Sequence, residues 1–502
     1  MLESFLEDYI NDLYNKQNEG AGKDQKDLFS KNDYYTLLKP VIDCVSKHKD
    51  HSLEELREML FKQSGIEERI QEIIYKKEMV PGLVFSYGTD NYKETIVIGN
   101  RQEVAIDGNG NVVPAVEKMT EDTIFDLASI TKLFTSLSIL KLVENGSISL
   151  NDEVTKYAPE FKNLDGVTIF DLISFRLSLL TNGRIDDKAN DKDKAEQILF
   201  DIHVNKESEN KNPYTDMGAM VLKYIIEHVS GMTLYQFVDE NILKPLNMKD
   251  THVLVPKPKL YRVASTNLDC KFYNPKYDDN GNMISKGDYI ITNHENGIVY
   301  DAKARIMGQP EGVLSGHAGM FSTASDMTTL AKGIMGGQII DDEYVEMMAK
   351  NRTGRKYIED DKVKYVQYLG FLCYSKNPYL SSSEVYHALS GRTFASAGWT
   401  GTQLTVDPIN QIYFFLAGNR SHNRMTFIGS EHKGEIMEDN FGKKTILLPN
   451  GETKIDATRF AWDRDTEIVH PALRLTIQYK MLEDIFKLTN EKIEQEENVR
   501  SI

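Results

Sequence analysis

A serine and a lysine three residues apart, Ser129 and Lys132, lie in a largely apolar stretch, TIFDLASITKLFTSLSILKLVENGSISL, that runs from Thr123 to Leu150. Residues three apart on a helix share a face, so this spacing sets a hydroxyl beside an amine at the positive end of the helix dipole. A serine hydroxyl is a poor nucleophile at neutral pH, and a neighbouring base, or a lysine depressed by desolvation, is a known remedy. The pair therefore reads as an activated serine. The alternative is a helix-capping serine followed by a lysine that snorkels to water. An isolated ammonium in an apolar setting costs several kcal/mol unless it finds a partner or loses its proton, so Lys132 needs a reason to be there.

The element that must position both groups is a helix. Ser129 is expected to cap it, and it should run through Lys132 and Leu142 to Asn145, with Gly146 as its stop. Ile130, Leu133, Phe134, Leu137, Ile139, Leu140, Leu142 and Val143 wrap most of its circumference. That pattern marks a helix buried inside a sizeable protein. It is too short and too interrupted to span a membrane.

Composition narrows the function classes. The chain has 502 residues and a formal charge of −17, with no compensating basic run. This argues against binding to nucleic acid or an anionic membrane surface, both of which need basic patches. Cys44, Cys270 and Cys373 are far apart and odd in number, which suits reduced thiols and neither a disulfide framework nor a zinc site. The opening residues, MLESFLEDYINDLY, form an amphipathic stripe with acids between the apolar positions and do not resemble a secretory signal. A cytoplasmic protein is the expectation.

Along the chain, residues 1–78 read as helices only: the opening stripe, a polar linker at Gly20–Lys26, a helix near Tyr34–Val45, a third behind the capping box of Ser52 and Glu55, and a fourth from Ile66 to Lys77. This extension is expected to serve packing, and its helices are a candidate surface for a homo-oligomer. Strands are expected at LVFSYG from Leu83 and ETIVIGN from Glu94, and again at Tyr365–Cys373, Ala395–Val406 and Gln411–Ala417, the last two joined by a turn at Asp407–Asn410. Between these groups lie helical patterns at Val154–Leu180, Gln197–Val204 and Tyr214–Val229, with Arg184–Lys194 as a charged loop. A turn-rich connection marked by Pro256, Pro258, Pro275, Gly281 and Gly287 spans Val253–Gly312, and a loop and helix follow at Gly316–Gly337. A terminal helix is expected from Ala472 to Leu488. The fold class is α+β, one antiparallel sheet built from both ends of residues 79–502 and flanked by helices, with a mostly helical subdomain inserted at about 147–345.

Several blocks then match a known family in order. VPGLVF at Val80, TIFDLASITKLFT at Thr123, NPYTDMGAMVLKYIIEHVSGMTL at Asn212, GHAGMFSTASDM at Gly316 and GWTGTQLTVDP at Gly398 resemble the class C β-lactamase and penicillin-binding-protein-like serine hydrolases, from near Val80 to near Asn423. The resemblance implies a β-lactamase/transpeptidase-like fold with Ser129 as nucleophile and Lys132 as proton acceptor. It implies that Tyr214 is a general base or proton relay and that Asp216 orients Lys132 or a substrate amide. Without the family match, Tyr214 reads as a half-buried aromatic at a helix start. Backbone N–H groups of Ser129 and Trp399 would form the oxyanion hole.

Two departures stand out. Where relatives have Lys-Thr-Gly or His-Thr-Gly this chain has Ser396, Ala397 and Gly398, so the strand walling the site lacks a cation for a substrate carboxylate. Where relatives tend to read His-Thr-Ser-Gly it has Phe175, Arg176, Leu177 and Ser178. The GHAG block, with VYDAKAR before it, resembles the branch that includes muropeptide-cleaving amidases. His317 is there a candidate substrate-binding residue or a structural turn histidine, Tyr300 and Asp301 stand where that branch has His-Asp, and His422 is open to either reading.

The expected function is hydrolysis of a small amide or ester, such as a cell-wall-fragment-like peptide, a D-amino-acid amide or ester, or a β-lactam, with no cofactor and no metal. The alternative from another class is a non-catalytic peptide or sugar binder of the same fold. No GxSxG elbow, HExxH or dinucleotide fingerprint occurs, and Gly442–Thr445 lacks the upstream glycine of a P-loop.

Overall fold

The computed structural model describes residues 2–17, 29–272, 276–277, 283–285, 289–377, 384–428, 436–441, 444–447, 453–456 and 471–487. The expected linker at Gly20–Lys26, the turn residues Pro275, Gly281 and Gly287, and Gly442 and Lys443 lie outside them.

Alternating side chains of two strands decide the architecture. In β1 (Gly82–Thr89), Leu83, Phe85 and Tyr87 are buried in one apolar cluster and Val84 in another. In the C-terminal strand Ile412–Gly418, Ile412, Phe414 and Leu416 join the first cluster while Tyr413, Phe415 and Ala417 join the second. Successive residues of a strand point to opposite faces, so these two are covered on both sides, which is why they read as unbroken apolar runs. They pair with each other, Leu83 opposite Gly418 through Thr89 opposite Ile412, and this joins the two ends of the chain into one sheet.

Numbered along the chain, the remaining strands are β2 (Lys93–Ile106), β3 (Val112–Lys118), β4 (Tyr374–Ser375), β5 (Phe394–Gly398) and β6 (Thr402–Asp407), with Ile412–Gly418 as β7. The order is β4-β5-β6-β7-β1-β2-β3, and every pairing is antiparallel. This is the antiparallel sheet built from both ends, flanked by helices, that the sequence led us to expect.

On one face lie α1 (Leu2–Gln17), α2 (Lys31–Lys47), α3 (Leu53–Ser64), α4 (Ile66–Gln71) and a helix over 471–487. Their apolar stripes, including Leu38, Val41, Leu56, Ile70, Leu473 and Tyr479, are buried against β1 and β7. The predicted capping box at Ser52 and Glu55 forms. On the other face pack α5 (Thr131–Glu144), α6 (Met217–Ser230) and a helix over Ala324–Met335, with the rest of the segment between β3 and β4. Among the described residues, no helix is long and apolar enough to cross a membrane.

The intervening segment departs from expectation. Val154–Leu180 is not one helix: it holds Val154–Tyr157, a 3-10 turn and Ile169–Ile173, and Leu179–Leu180 pairs as a strand with His203–Val204. Pro159 keeps Ala158 out of the helical region, and Gly166 turns the chain at positive φ. The charged loop contains the short helix Ile185–Lys188, and the next helix starts at Lys192. Tyr365–Cys373 is not a strand, because its later N–H groups are bonded elsewhere, Phe371 to the Met348 carbonyl and Leu372 to that of Ile173. Within the turn-rich connection, Asp269–Phe272 and Tyr289–Thr292 are strands of a second, six-stranded sheet with Met425–Ile428, and Lys444–Leu447 also belongs to it. His422 is a structural residue near this sheet: its Nε2 accepts from the Glu103 N–H at 2.9 Å, and burial pushes its pKa down to about 4.

One ion pair ties the N-terminal helices to the chain's end. Arg57 Nη2 lies 2.5 Å from Glu483 Oε1, with both side chains about nine-tenths buried, and the guanidinium stacks 4.1 Å over the Tyr92 ring. Glu483→Ala strands a buried cation, so it is expected to lower unfolding stability by about 3 to 5 kcal/mol in urea denaturation. A loss below about 1 kcal/mol would show that this end is not anchored there.

Candidate active site

The turn before Ser129 is set by a buried carboxylate. Asp126 accepts from the Ala128 N–H at 2.8 Å through one oxygen and from the Tyr300 N–H at 2.6 Å through the other. Burial raises its pKa to about 6 against the opposing pull of these two N–H groups. Ala128 sits at φ +44°, a conformation side chains rarely adopt, which turns the chain sharply just before Ser129. Ser129 is therefore not the helix cap expected from sequence. It lies inside a 3-10 turn, Ala128–Ile130, and α5 begins at Thr131 with no side-chain cap.

The serine hydroxyl instead meets Lys132, whose Nζ donates to Ser129 Oγ at 2.9 Å. Lys132 is completely buried. Its ammonium bonds Asp216 Oδ1 at 2.8 Å and the His317 carbonyl at 3.4 Å, and stands 5.0 Å from the centre of the Tyr214 ring. Burial pushes the lysine pKa down, but Asp216 and the Tyr214 hydroxyl outweigh it and hold the group above its ordinary range. The expected depression by desolvation does not occur, because α6 delivers a carboxylate to the ammonium. Asp216 is held well below the usual carboxylate range: burial opposes its charge, and Lys132 and Lys303 more than offset that.

Tyr214 is half-buried and lies between two rings, Phe175 at 5.2 Å and Tyr374 at 5.7 Å, both nearly parallel to it. The unusual Phe175 thus forms one side of a stack that fixes the tyrosine beside Lys132.

The end of β5 and its turn into β6 are fastened to the turn before Ser129. Thr400 Oγ1 donates to the Asp126 carbonyl at 2.6 Å and Thr402 Oγ1 to that of Leu127 at 3.2 Å. A Cβ on Gly398 would lie 2.4 Å from the Leu127 carbonyl oxygen, so only glycine lets β5 approach this closely. Trp399 follows at once, its ring 4.6 Å from the Arg420 guanidinium. Ser396 is buried on β5, two residues from Gly398 and so on the same side. Arg392 is engaged by Glu346 at 3.0 Å, and Arg176 is exposed over the Phe170 ring.

His317 is buried, and its position depends on Gly316, where a Cβ would collide with the Ala219 carbonyl oxygen at 2.4 Å. Its Nε2 lies 2.9 Å from Asp301 Oδ1 and its Nδ1 3.2 Å from Ser315 Oγ. The structure thus brings Ser129, Lys132, Tyr214, Asp216 and His317 into one cluster and sets Gly398 against the turn before Ser129.

Sequence reasoning missed Lys303. From the short helix α7 (Ala302–Ile306), its Nζ bonds Asp216 Oδ2 at 3.0 Å and Asp301 Oδ2 at 3.3 Å. Its only signal was its place in the VYDAKAR block, two residues after Asp301. Asp216, Asp301 and His317 offer three ligand atoms within 4.8 Å of one another, a set with the chemistry to hold a metal ion. The Lys303 ammonium already bonds both carboxylates, so this cluster fits a lysine and not a divalent cation.

The family model for beta-lactamase matches residues 81–432. A Salmonella gallinarum protein named "Putative D-alanyl-D-alanine carboxypeptidase" is 28% identical over 332 residues, covering 61% of this chain and 71% of the relative. Among solved structures, EstCE1, described as a hydrolase with promiscuous acyltransferase activity, aligns with a TM-score of 0.50 at 18% identity over 71% of this chain and 94% of that one, a likeness of fold. A class C beta lactamase from Rhodobacter sphaeroides aligns at 0.47 and 16% identity over 71% and 94%.

Removing the Asp216 charge takes away the largest charge partner that keeps Lys132 protonated, so Asp216→Asn is expected to lower the Lys132 pKa. The rising limb of the pH–rate profile for p-nitrophenyl acetate should move to lower pH by at least about one unit. An unmoved limb would mean that Lys132 does not govern it.

Proposed function

The chain belongs to the beta-lactamase family, and from that premise we propose that it cleaves a small amide or ester through an acyl-enzyme on Ser129. The observation that carries this reading is the buried Lys132 ammonium, 2.9 Å from Ser129 Oγ and anchored by Asp216.

In acylation, Ser129 Oγ attacks the substrate carbonyl carbon and its proton passes to the Lys132–Tyr214 pair once that pair has given up one proton. Because Lys132 is held above its ordinary range, the competent fraction grows as pH rises. The carbonyl oxygen takes the negative charge and is met by the backbone N–H groups of Ser129 and Trp399. The leaving amine or alcohol departs with the transferred proton, and water then attacks the ester formed on Ser129, releasing the acid and restoring the hydroxyl.

The substrate class we favour is a D-alanyl-type peptide amide or a neutral ester. The name carried by the Salmonella relative supports the former. For the latter, β5 offers only Ser396 where a strand cation would bind a carboxylate, and Arg392 is paired with Glu346. A charge-assisted bond of that kind is worth about 1.5 to 3 kcal/mol, or roughly ten- to more than a hundredfold in rate.

Three variants test the proposal on purified protein. Ser129→Ala should abolish turnover of ester and D-alanyl amide substrates, whereas activity retained in it would remove the serine from the mechanism. Lys132→Ala should lose at least ~100-fold in kcat/KM. Ser396→Lys should raise kcat/KM for penicillin relative to a neutral ester, and an unchanged ratio would contradict the account of the strand. A wild-type protein that binds such ligands without turnover would be a binder of the same fold.

A further inference from the structure

We propose that Lys303 is a positioning residue that governs when Lys132 can take the proton of Ser129, by holding the second oxygen of the Asp216 carboxylate and sharing its charge. The inference rests on the serine-hydrolase reading above and deepens it.

The groups form a closed circuit. Lys132 bonds Asp216 Oδ1 at 2.8 Å, Asp216 Oδ2 bonds Lys303 at 3.0 Å, and Lys303 bonds Asp301 at 3.3 Å. Asp301 bonds His317 at 2.9 Å, and the His317 carbonyl accepts from Lys132 at 3.4 Å. Two ammonium groups thus face two carboxylates, and these four charges cancel while Lys132 keeps its proton.

The other charged groups nearby have partners outside the circuit, and Asp126, which faces Asp301, accepts from the Ala128 and Tyr300 N–H groups. Asp186 faces Lys303 from outside and bonds Arg184 at 2.7 Å. Arg305 donates to the Val299 and Tyr300 carbonyls, both at 2.7 Å. Tyr214 faces Lys132 directly, and β5 brings no titratable side chain.

Deprotonating Lys132 leaves these four groups with one negative charge. Were Lys303 uncharged, the same step would leave two, in a place where Lys132 has no exposure to water. The second ammonium therefore lowers the cost of emptying the first. Lys303 can do this because it does not titrate in step: burial opposes its charge, but Asp301 and Asp216 outweigh burial and hold it above the ordinary lysine range. With 16% of its side chain exposed, it stands at the cluster's accessible edge, while Lys132 is at the sealed end.

The test measures the rate of Ser129 labelling by a fluorophosphonate across pH 6 to about 10.5, read by intact mass. In Lys303→Met the rising limb should move to higher pH by at least about one unit, so that labelling at pH 7 falls about tenfold or more and recovers at the alkaline end. Lys303→Gln, which keeps hydrogen-bonding atoms without the charge and guards against a folding defect in Lys303→Met, should shift the same way. Lys303→Arg should stay close to wild type. The direction is opposite to that expected for Asp216→Asn. A limb that stays in place in both neutral variants, with or without a lower plateau, would overturn the proposal while wild-type labelling leaves the serine-hydrolase reading standing. Absence of labelling in the wild type would overturn both.

Discussion

An ammonium with no contact with water is the constraint around which this molecule is arranged. Lys132 is fully buried at the start of a helix that is itself buried along most of its length, and such a charge is tolerable only with a carboxylate against it. Asp216 supplies that carboxylate from the start of α6, so α5 and α6 must pack side by side. The same need brings in the GHAG turn, whose His317 carbonyl accepts from Lys132 and whose Gly316 carbonyl accepts from Thr135 at 2.7 Å. The turn that joins β5 to β6, and the start of β6, are held to the turn before Ser129 by Thr400 and Thr402. The chemistry and the packing of this region thus share one set of bonds.

The pairing also has a chemical consequence. A lysine that is stable when charged is a poor base at neutral pH, so a mechanism that uses Lys132 must ease its loss of a proton without removing Asp216. Dividing the Asp216 carboxylate between two ammonium groups meets both demands. Lys303 is itself committed to Asp216 and Asp301.

Much of this was legible in the chain, for local reasons. Ser129 and Lys132 are one helical turn apart, Tyr214 and Asp216 stand in one short motif, and the central strands are covered on both faces, so their sequences are unbroken apolar runs. What was not legible depends on contacts between distant segments. Lys303 lies far from both Ser129 and Asp216 in sequence, and nothing in its neighbours announces an ammonium aimed at Asp216. The strands of the second sheet that lie within Val253–Gly312 read as turns because they are short, as at Asp269–Phe272. Pro159 and Gly166 divide Val154–Leu180, although the apolar spacing around them reads as one helix. Ser129 was read as a cap because a serine before an apolar run usually is one, whereas here its hydroxyl is engaged by Lys132.

The central claim is that a single serine, held by this lysine, carries the covalent chemistry. It is tested most directly by peptide mapping of the full-length protein after reaction with a β-lactam or a fluorophosphonate. The account predicts one adduct per chain, on the proteolytic fragment containing Ser129, with every other serine unmodified. An adduct on a different residue, or steady ester turnover with no adduct on Ser129, would contradict it.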